Sequence, residues 1–352
     1  MSLVPSPRQI LVTGGAGFIG SHVVKTLRQR YPEARIRVLH QPRENLFNLR
    51  HVNGIELMAG DVTRQRDVVA AVAGCDVVFH LAAVYALWLP DMSVMDRVNV
   101  DGTRRVLQAC KDAGVKRVVH TSSIAVFAGQ GEGVAATEQS AFQFWASDYS
   151  RSKYESHIVA KEFARQGLDV VMVCPAMPIG PGDIGPTPTG RIITEAFKSP
   201  FLLAMDTGPG CYIDVRDCAM GHVLALEKGG RGESYILGGE NYDHYEIMQR
   251  LCRIAGLHGR IRTVSLSTLK PFTRIATWLS DHVTHKPPFF TPVEIEITRK
   301  GLKCDAAKAR KELGLTVRPI DDSLRDAVAW FAANGYLPAS ARALSPPEAV
   351  PA

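Results

Sequence analysis

A short apolar run, Gln9 to Thr13, passes directly into Gly14-Gly15-Ala16-Gly17-Phe18-Ile19-Gly20 and then into a helical period, Ser21 to Arg30, with Val23, Val24 and Leu27 on one stripe. An apolar run without polar alternation is the pattern of a parallel strand covered on both faces. Glycines between such a strand and a helix permit a tight reversal and let backbone N–H groups approach a phosphate closely. The helix N-terminus brings unsatisfied donors to the same place. The stretch therefore predicts a βαβ unit that binds a dinucleotide. Two spacings fit it: Gly15, Gly17 and Gly20 make G-x-G-x-x-G, and Gly14, Gly17 and Gly20 make G-x-x-G-x-x-G.

A chain of 352 residues has room for one large domain with a lobe, and 46% hydrophobic against 22% charged residues is ordinary for a globular protein. The formal charge of +6 is spread without a basic block, which suits a small anionic ligand and argues against nucleic acid as a partner. Seven cysteines, an odd number and without a C-x-x-C, read as buried thiols in a reducing compartment. With no signal-peptide pattern before the first strand and no apolar run long enough to span a bilayer, the sequence predicts a cytoplasmic, soluble protein.

Arg35 to His40 forms the next strand, and the residues after it bear on the cofactor. An acid about 20 positions beyond the glycines accepts the ribose hydroxyls of NAD, whereas a cation there accommodates the 2′-phosphate of NADP. Here the positions are His40, Gln41, Pro42 and Arg43, with no carboxylate before Glu44. NADP(H) is the predicted cofactor, with Arg43 and His40 near the phosphate, and NAD stays open. Ile55 to Ala59 is a third strand that leads into Gly60-Asp61-Val62, with Asp61 placed for the adenine end. Asp76 to Leu81 is a fourth strand that runs out into Ala82 and Ala83, small residues that leave room for a ligand at the strand's carboxyl end. His80, within it, reads as a buried structural histidine. Asp96 to Ala113 is a long amphipathic helix carrying Asn99, and Val118 to Thr121 is a fifth strand that delivers Ser122 and Ser123.

Tyr149 and Lys153 stand four residues apart on the next helix, hence on one face. A free tyrosine, with a pKa of about 10, is a poor acid or base at neutral pH. A lysine ammonium at that spacing favours the phenolate and pulls the pKa toward the working range. Ser123 can hold a substrate oxygen within hydrogen-bond reach of Tyr149. The order of these pieces carries the weight: glycine turn, serine-ended strand, then tyrosine and lysine on the helix after it.

With these residues the chain resembles the extended short-chain dehydrogenase/reductase superfamily from Ile10 to about Leu337. The resemblance rests on Thr13 to Gly20, Gly60-Asp61-Val62, His80-Leu81-Ala82-Ala83, Asn99-Val100-Asp101-Gly102-Thr103, Thr121-Ser122-Ser123, and Tyr149 with Lys153. Leu87-Trp88, Gly185 to Ile193 and Tyr235 to Asn241 look most like the hopanoid-associated sugar-epimerase group and the dihydroflavonol 4-reductases. The resemblance implies a catalytic set of Ser123, Tyr149 and Lys153, with Lys153 also on the nicotinamide ribose. Candidate cofactor contacts are then Gly14, Gly17, Phe18, Ile19, Gly20, His40, Arg43, Asp61, Val62, Leu81, Ala82, Ala83, Asn99, Thr121, Tyr149, Lys153 and Pro175. Two positions depart from the family pattern: Gln41, where arginine is frequent, and Cys174, where asparagine or arginine often precedes Pro175.

The predicted fold class is α/β, a doubly wound parallel sheet (Rossmann) with a smaller, mostly helical substrate lobe. Residues 9–175 and 211–238 are assigned to the dinucleotide-binding domain and 176–210 with 239–337 to the lobe; 1–8 and 338–352 are expected to be disordered. The proline- and glycine-dense stretch 176–210 reads as a functional loop. Tyr85, Trp88, Ser123, Met177 and Arg191 are candidate substrate contacts, and no metal-spaced cluster is present. The predicted activity is NAD(P)-dependent oxidoreduction, NADPH-dependent reduction of a ketone or aldehyde in particular. A nucleotide-sugar epimerase or dehydratase with bound NAD is the alternative among enzymes, and a cofactor-sensing protein without catalysis the alternative outside them. The helices 96–113 and 149–166 could pair in a homodimer.

Overall fold

The computed structural model describes residues 6–127, 133–142, 147–198, 203–256, 261–286, 288 and 291–338. Residues 1–5 and 339–352, on which the expectation of disordered ends mostly falls, lie outside the described residues.

The first half runs β1 (Gln9–Thr13), α1 (Phe18–Arg30), β2 (Arg35–His40), β3 (Ile55–Ala59), α2 (Gln65–Val72) and β4 (Val77–His80). A continuous helical segment comes next, made of α3 (Ser93–Met95), a π-helical stretch (Asp96–Gly102) and α4 (Thr103–Asp112). Then come β5 (Arg117–Thr121), α5 (Asp148–Arg165) and β6 (Val170–Pro175). The remainder is β7 (Met177–Ile179), α6 (Pro188–Lys198), β8 (Leu203–Met205), β9 (Gly210–Asp214), α7 (Val215–Lys228), β10 (Ser234–Leu237), β11 (Glu240–Tyr242), α8 (His244–Ala255), β12 (Arg262–Val264), α9 (Leu266–Leu279), α10 (Pro292–Lys300) and α11 (Ile320–Ala333).

Seven strands form one sheet in the order β10-β6-β5-β4-β1-β2-β3, every pair parallel. The chain steps outward from β1 through β2 to β3, then returns to β4 and steps outward the other way. The reversal between β1 and β4 opens a crevice beyond the strands' carboxyl ends, where sheets of this kind bind ligands. Alternation along β1 shows why its sequence is apolar throughout. Ile10 and Val12 pack with α1 and α7, while Leu11 packs with α2, α4 and α5 on the opposite face. This is the doubly wound α/β fold. A separate core formed by α6, α8, α11 and the strands β7 and β9 makes the smaller lobe.

Two features differ from the sequence reading. Stretch 176–210 is not one loop, since it holds β7, α6 and β8. Its helix starts at Pro188, a residue suited to the first helical position because the missing N–H has no partner there anyway. Asp183 fixes the turn before that helix: its carboxylate accepts from the Thr187 backbone N–H (2.8 Å) and hydroxyl (2.7 Å). Gly210–Asp214, assigned from sequence largely to the dinucleotide-binding domain, instead forms a three-stranded sheet with β7 and β11. Of the 211–238 segment, β10 joins the large sheet and α7 packs on it, while β9 touches its core through Ile213 and Cys211. β7 and β11 are three residues each, too short for periodicity to reveal their pairing.

Candidate active site

A cavity of about 670 Å³ lies along the carboxyl ends of β1, β2, β4, β5 and β6 and reaches into the smaller lobe. At its floor, Gly14 takes a left-handed φ of +68°, and a Cβ there would fall 2.7 Å from the Ala82 backbone nitrogen. Gly15 does not line the cavity; its Cα faces the side chains of Val38, Val24 and Val12. Of the two glycine spacings, the one through Gly14, Gly17 and Gly20 therefore faces the ligand space. Gly17 is the N-cap of α1, no side chain caps that end, and no acid occupies its first turn. An uncapped helix N-terminus opening on a glycine-floored cavity, with Phe18, Ile19 and Gly20 in its wall, has the donors and clearance that a pyrophosphate requires. The residues present fit a dinucleotide.

Buried groups beneath the floor hold it in shape. His80 is enclosed, with one ring nitrogen bonded to Thr13 Oγ1 (2.8 Å) and the other to Thr103 Oγ1 (3.0 Å), and burial pushes its pKa down to about 3. Thr13 Oγ1 accepts in turn from the Ala82 N–H at 3.2 Å. The neutral histidine thus fixes the joint between the glycine turn and the β4 end, the structural role its sequence position suggests.

At the end of β5 the paired serines divide their work. Ser122 Oγ bonds the buried His157 Nδ1 at 2.9 Å, which commits it to the core. Ser123 and Tyr149 both face the cavity, and the Ser123 hydroxyl accepts from the Ala125 N–H at 3.2 Å. Tyr149 stands in the first turn of α5, whose N-cap Ser147 accepts from the Ser150 N–H at 3.0 Å. Burial pushes the Tyr149 phenol up to about 12, and the Ser123 hydroxyl acts in the opposite direction. The sequence predicts a phenol drawn down by Lys153; in the chain alone burial dominates, and Ser123 rather than Lys153 opposes it. Lys153, one turn on, is 4% exposed and donates from Nζ to the Thr121 carbonyl at 2.8 Å. Burial lowers its ammonium to about 8. Tyr85 meets Tyr149 edge to face, ring centroids 4.6 Å apart.

His40, Arg43, Val62, Leu81, Ala82, Ala83, Thr121 and Pro175 all line the cavity, as do Tyr85 and Met177. Four candidates do not. Asp61 is used by its own turn, accepting from the Thr63 N–H at 2.8 Å, while Gly60 and Val62 on either side line the wall. Asn99 is buried within the π-helical stretch and bonds the Val84 N–H (2.7 Å), the Val84 carbonyl (3.0 Å) and Ser152 Oγ (3.0 Å). It holds the loop after β4 against α5. Trp88 turns away and donates from Nε1 to Asp281 at 2.8 Å, leaving Leu87 in the wall. Arg191 lies beyond the part of α6 that reaches the cavity, Pro188 and Thr189.

The family described as the NAD dependent epimerase/dehydratase family matches residues 10–238, the segment that builds the glycine floor and the Ser123, Tyr149 and Lys153 constellation. The chain belongs to that family. A Synechocystis sp. protein provisionally named dihydroflavonol 4-reductase is 38% identical over 337 residues, covering 93% of this chain and 95% of its own. Sterol demethylase protein B of Methylococcus capsulatus is 32% identical over 93% of this chain and 99% of its own. Among solved structures, DesIV, a dTDP-glucose 4,6-dehydratase from Streptomyces venezuelae with NAD and TYD bound, aligns at a TM-score of 0.76 and 27% identity, over 96% of this chain and 100% of that one. The protein is thus an NAD(P)-dependent oxidoreductase of the extended short-chain dehydrogenase/reductase type. No helix among the described residues is long and apolar enough to cross a membrane.

For a member of this epimerase/dehydratase family, several wall residues lay outside sequence reasoning. Glu44 joins Arg43 at the β2 rim, and its carboxylate accepts from the Gln41 N–H at 2.9 Å, a local turn that returns the acid to the cavity. Thr187, Ile297 and Leu302 close the lobe side. A helix-start signal in Thr187-Pro188 marks the first. Nothing local marks Ile297 or Leu302, which reach the site only because the lobe folds over it.

Proposed function

We propose that this chain catalyses NADPH-dependent reduction of a ketone or aldehyde carried on an apolar frame. The observation that carries the reading is the Ser123–Tyr149 hydroxyl pair facing the cavity, with the Lys153 ammonium enclosed behind it. Gly14, Gly17 and the first turn of α1 would hold the pyrophosphate of the dinucleotide, with Arg43 and His40 at its ribose end. When bound, a reduced nicotinamide supplies hydride to a carbonyl carbon. Ser123 orients the carbonyl oxygen by donating a hydrogen bond. Tyr149 delivers the proton to that oxygen, and a phenol pushed up to about 12 is protonated throughout the neutral range, as a donor must be. Lys153 supports the phenolate left behind with its positive charge, while its bond to the Thr121 carbonyl fixes where that charge sits. Leu87, Ile297 and Leu302 exclude water from the carbonyl.

Burial puts Lys153 at about 8, and this sets the sign of the pH dependence. Below that value the ammonium is protonated and stabilises the phenolate; above it the charge is lost. With NADPH saturating, kcat for reduction is expected to be flat up to about pH 8 and to fall tenfold per unit above it, by single-proton titration. A profile that stays flat to high pH removes Lys153 from this role.

The cofactor preference rests on Arg43 at the rim. The native enzyme is expected to use NADPH at least about tenfold better than NADH, and Arg43→Ala to raise KM for NADPH by about the same factor without changing that for NADH. Equal or better use of NADH by the native enzyme overturns the preference. Glu44 in the same rim and the NAD bound in DesIV support a second reading, an epimerase or dehydratase that returns hydride to its substrate. A carbonyl screen that tracks NADPH absorbance separates the two, because only the reductase consumes cofactor.

A further inference from the structure

Helix α9 turns the wrong side outward for a surface helix of a water-soluble protein. At 100° per residue, Phe272, Ile275, Trp278 and Leu279 fall within an arc of about 120°. All four are exposed, at 69%, 61%, 56% and 40%. Val283, in the π-helical stretch Ser280–Thr284 that continues α9, extends the strip at 60%. The opposite side, packed toward the protein, is anchored by Leu266 but otherwise carries polar residues: Thr273 and Ser280 are buried, and the Thr277 hydroxyl is enclosed with no hydrogen-bond partner. A single exposed leucine is unremarkable, but five large apolar side chains in register form a patch of the kind that marks an interaction surface.

We propose that this face docks on the surface of an anionic lipid bilayer. Beside the strip the exposed Arg274 and Lys286 stand against one acid, Asp281, whose carboxylate is engaged by Trp88. A segment with this excess of cations and a tryptophan-bearing apolar strip complements phosphate headgroups above an acyl boundary. A second copy of this chain fits the strip less well, because a twofold contact would bring the same cations together. The strip also adjoins the cavity. The Trp88–Asp281 bond ties its end to the loop that supplies Tyr85 and Leu87, and α10, packed on α9, supplies Ile297. A docked α9 sets the cavity mouth beside the bilayer, and the docking itself stands apart from the redox reading of the site.

The test is flotation of the full chain with vesicles of phosphatidylcholine containing phosphatidylglycerol and with vesicles of phosphatidylcholine alone. The native chain is expected to float with the anionic vesicles and far less with the neutral ones. A Phe272→Ser, Ile275→Ser, Trp278→Ser triple variant is expected to partition at least about tenfold less while keeping its thermal midpoint and cofactor affinity. A native chain that stays in the dense fraction with both compositions overturns the proposal, and equal flotation with both overturns the anionic requirement. A native dimer that light scattering finds converted to monomer by the triple variant assigns the face to a second copy instead.

Discussion

Replacing Tyr149 by phenylalanine is expected to lower kcat between about 10² and 10⁴-fold while leaving cofactor affinity near its native value. The variant keeps the ring, and with it the edge-to-face contact with Tyr85, so the wall of the cavity persists. It loses one oxygen. That oxygen is the only group of the pair that can deliver a proton while Ser123 holds the substrate, and Ser122 cannot substitute for either because its hydroxyl is bound to His157. Lys153 is not placed to take over directly, since its ammonium donates to the Thr121 carbonyl. The comparison of kcat with Kd for NADPH, measured by fluorescence of the reduced cofactor, separates chemistry from binding. Native turnover in the variant would remove Tyr149 as the proton donor and with it the role assigned to the Ser123, Tyr149 and Lys153 set. Loss of turnover with native cofactor affinity is the signature of a proton donor.

The parts of this molecule that are legible in its sequence are those whose signal is local. β1 and α1 announce themselves through an apolar run, a cluster of glycines and a helical stripe, all within two dozen residues, and the strands β2, β3, β5 and β10 are bounded by recognisable turns. Tyr149 and Lys153 are legible because helical spacing alone brings i and i+4 to one face. Asp61 and Asn99 show where local signal misleads. Asp61 sits in a motif that lines the crevice and Asn99 in one that does not reach it, and each spends its side chain on hydrogen bonds within the protein, a choice set by which partners the fold supplies. The pKa of Tyr149 is misjudged from sequence for a related reason: spacing reveals the nearby cation but not the depth of burial, and burial dominates. The pairing of β7 with β9 and the wall residues Ile297 and Leu302 depend on contacts between distant segments, which no window on the sequence contains.

Gly20→Ala is expected to abolish tight dinucleotide binding and to destabilise the fold, against the usual rule for helices. Inside a helix, alanine is favoured over glycine by about 1 kcal/mol, so at an ordinary position the substitution would help. Here the added Cβ would fall 2.1 Å from the Gly14 carbonyl oxygen and 2.9 Å from the Gly15 Cα. Both are backbone atoms of the turn itself, and no rotamer change can move them. Relief requires shifting the first turn of α1 away from β1, which displaces the N–H donors that face the cavity and opens the packing of Val23, Val24 and Leu27 on the sheet. Overpacking of this kind costs about 1–3 kcal/mol or more of stability. Loss of even one or two aligned donors to a pyrophosphate lowers affinity by about 10 to 100-fold. Gly185→Ala is the control, because a Cβ there meets nothing within 4 Å and φ is unconstrained, so its thermal midpoint and Kd should match the native chain. If Gly20→Ala binds the cofactor as the native chain does and melts at the same temperature, the close approach of helix and turn does not form the floor of the site.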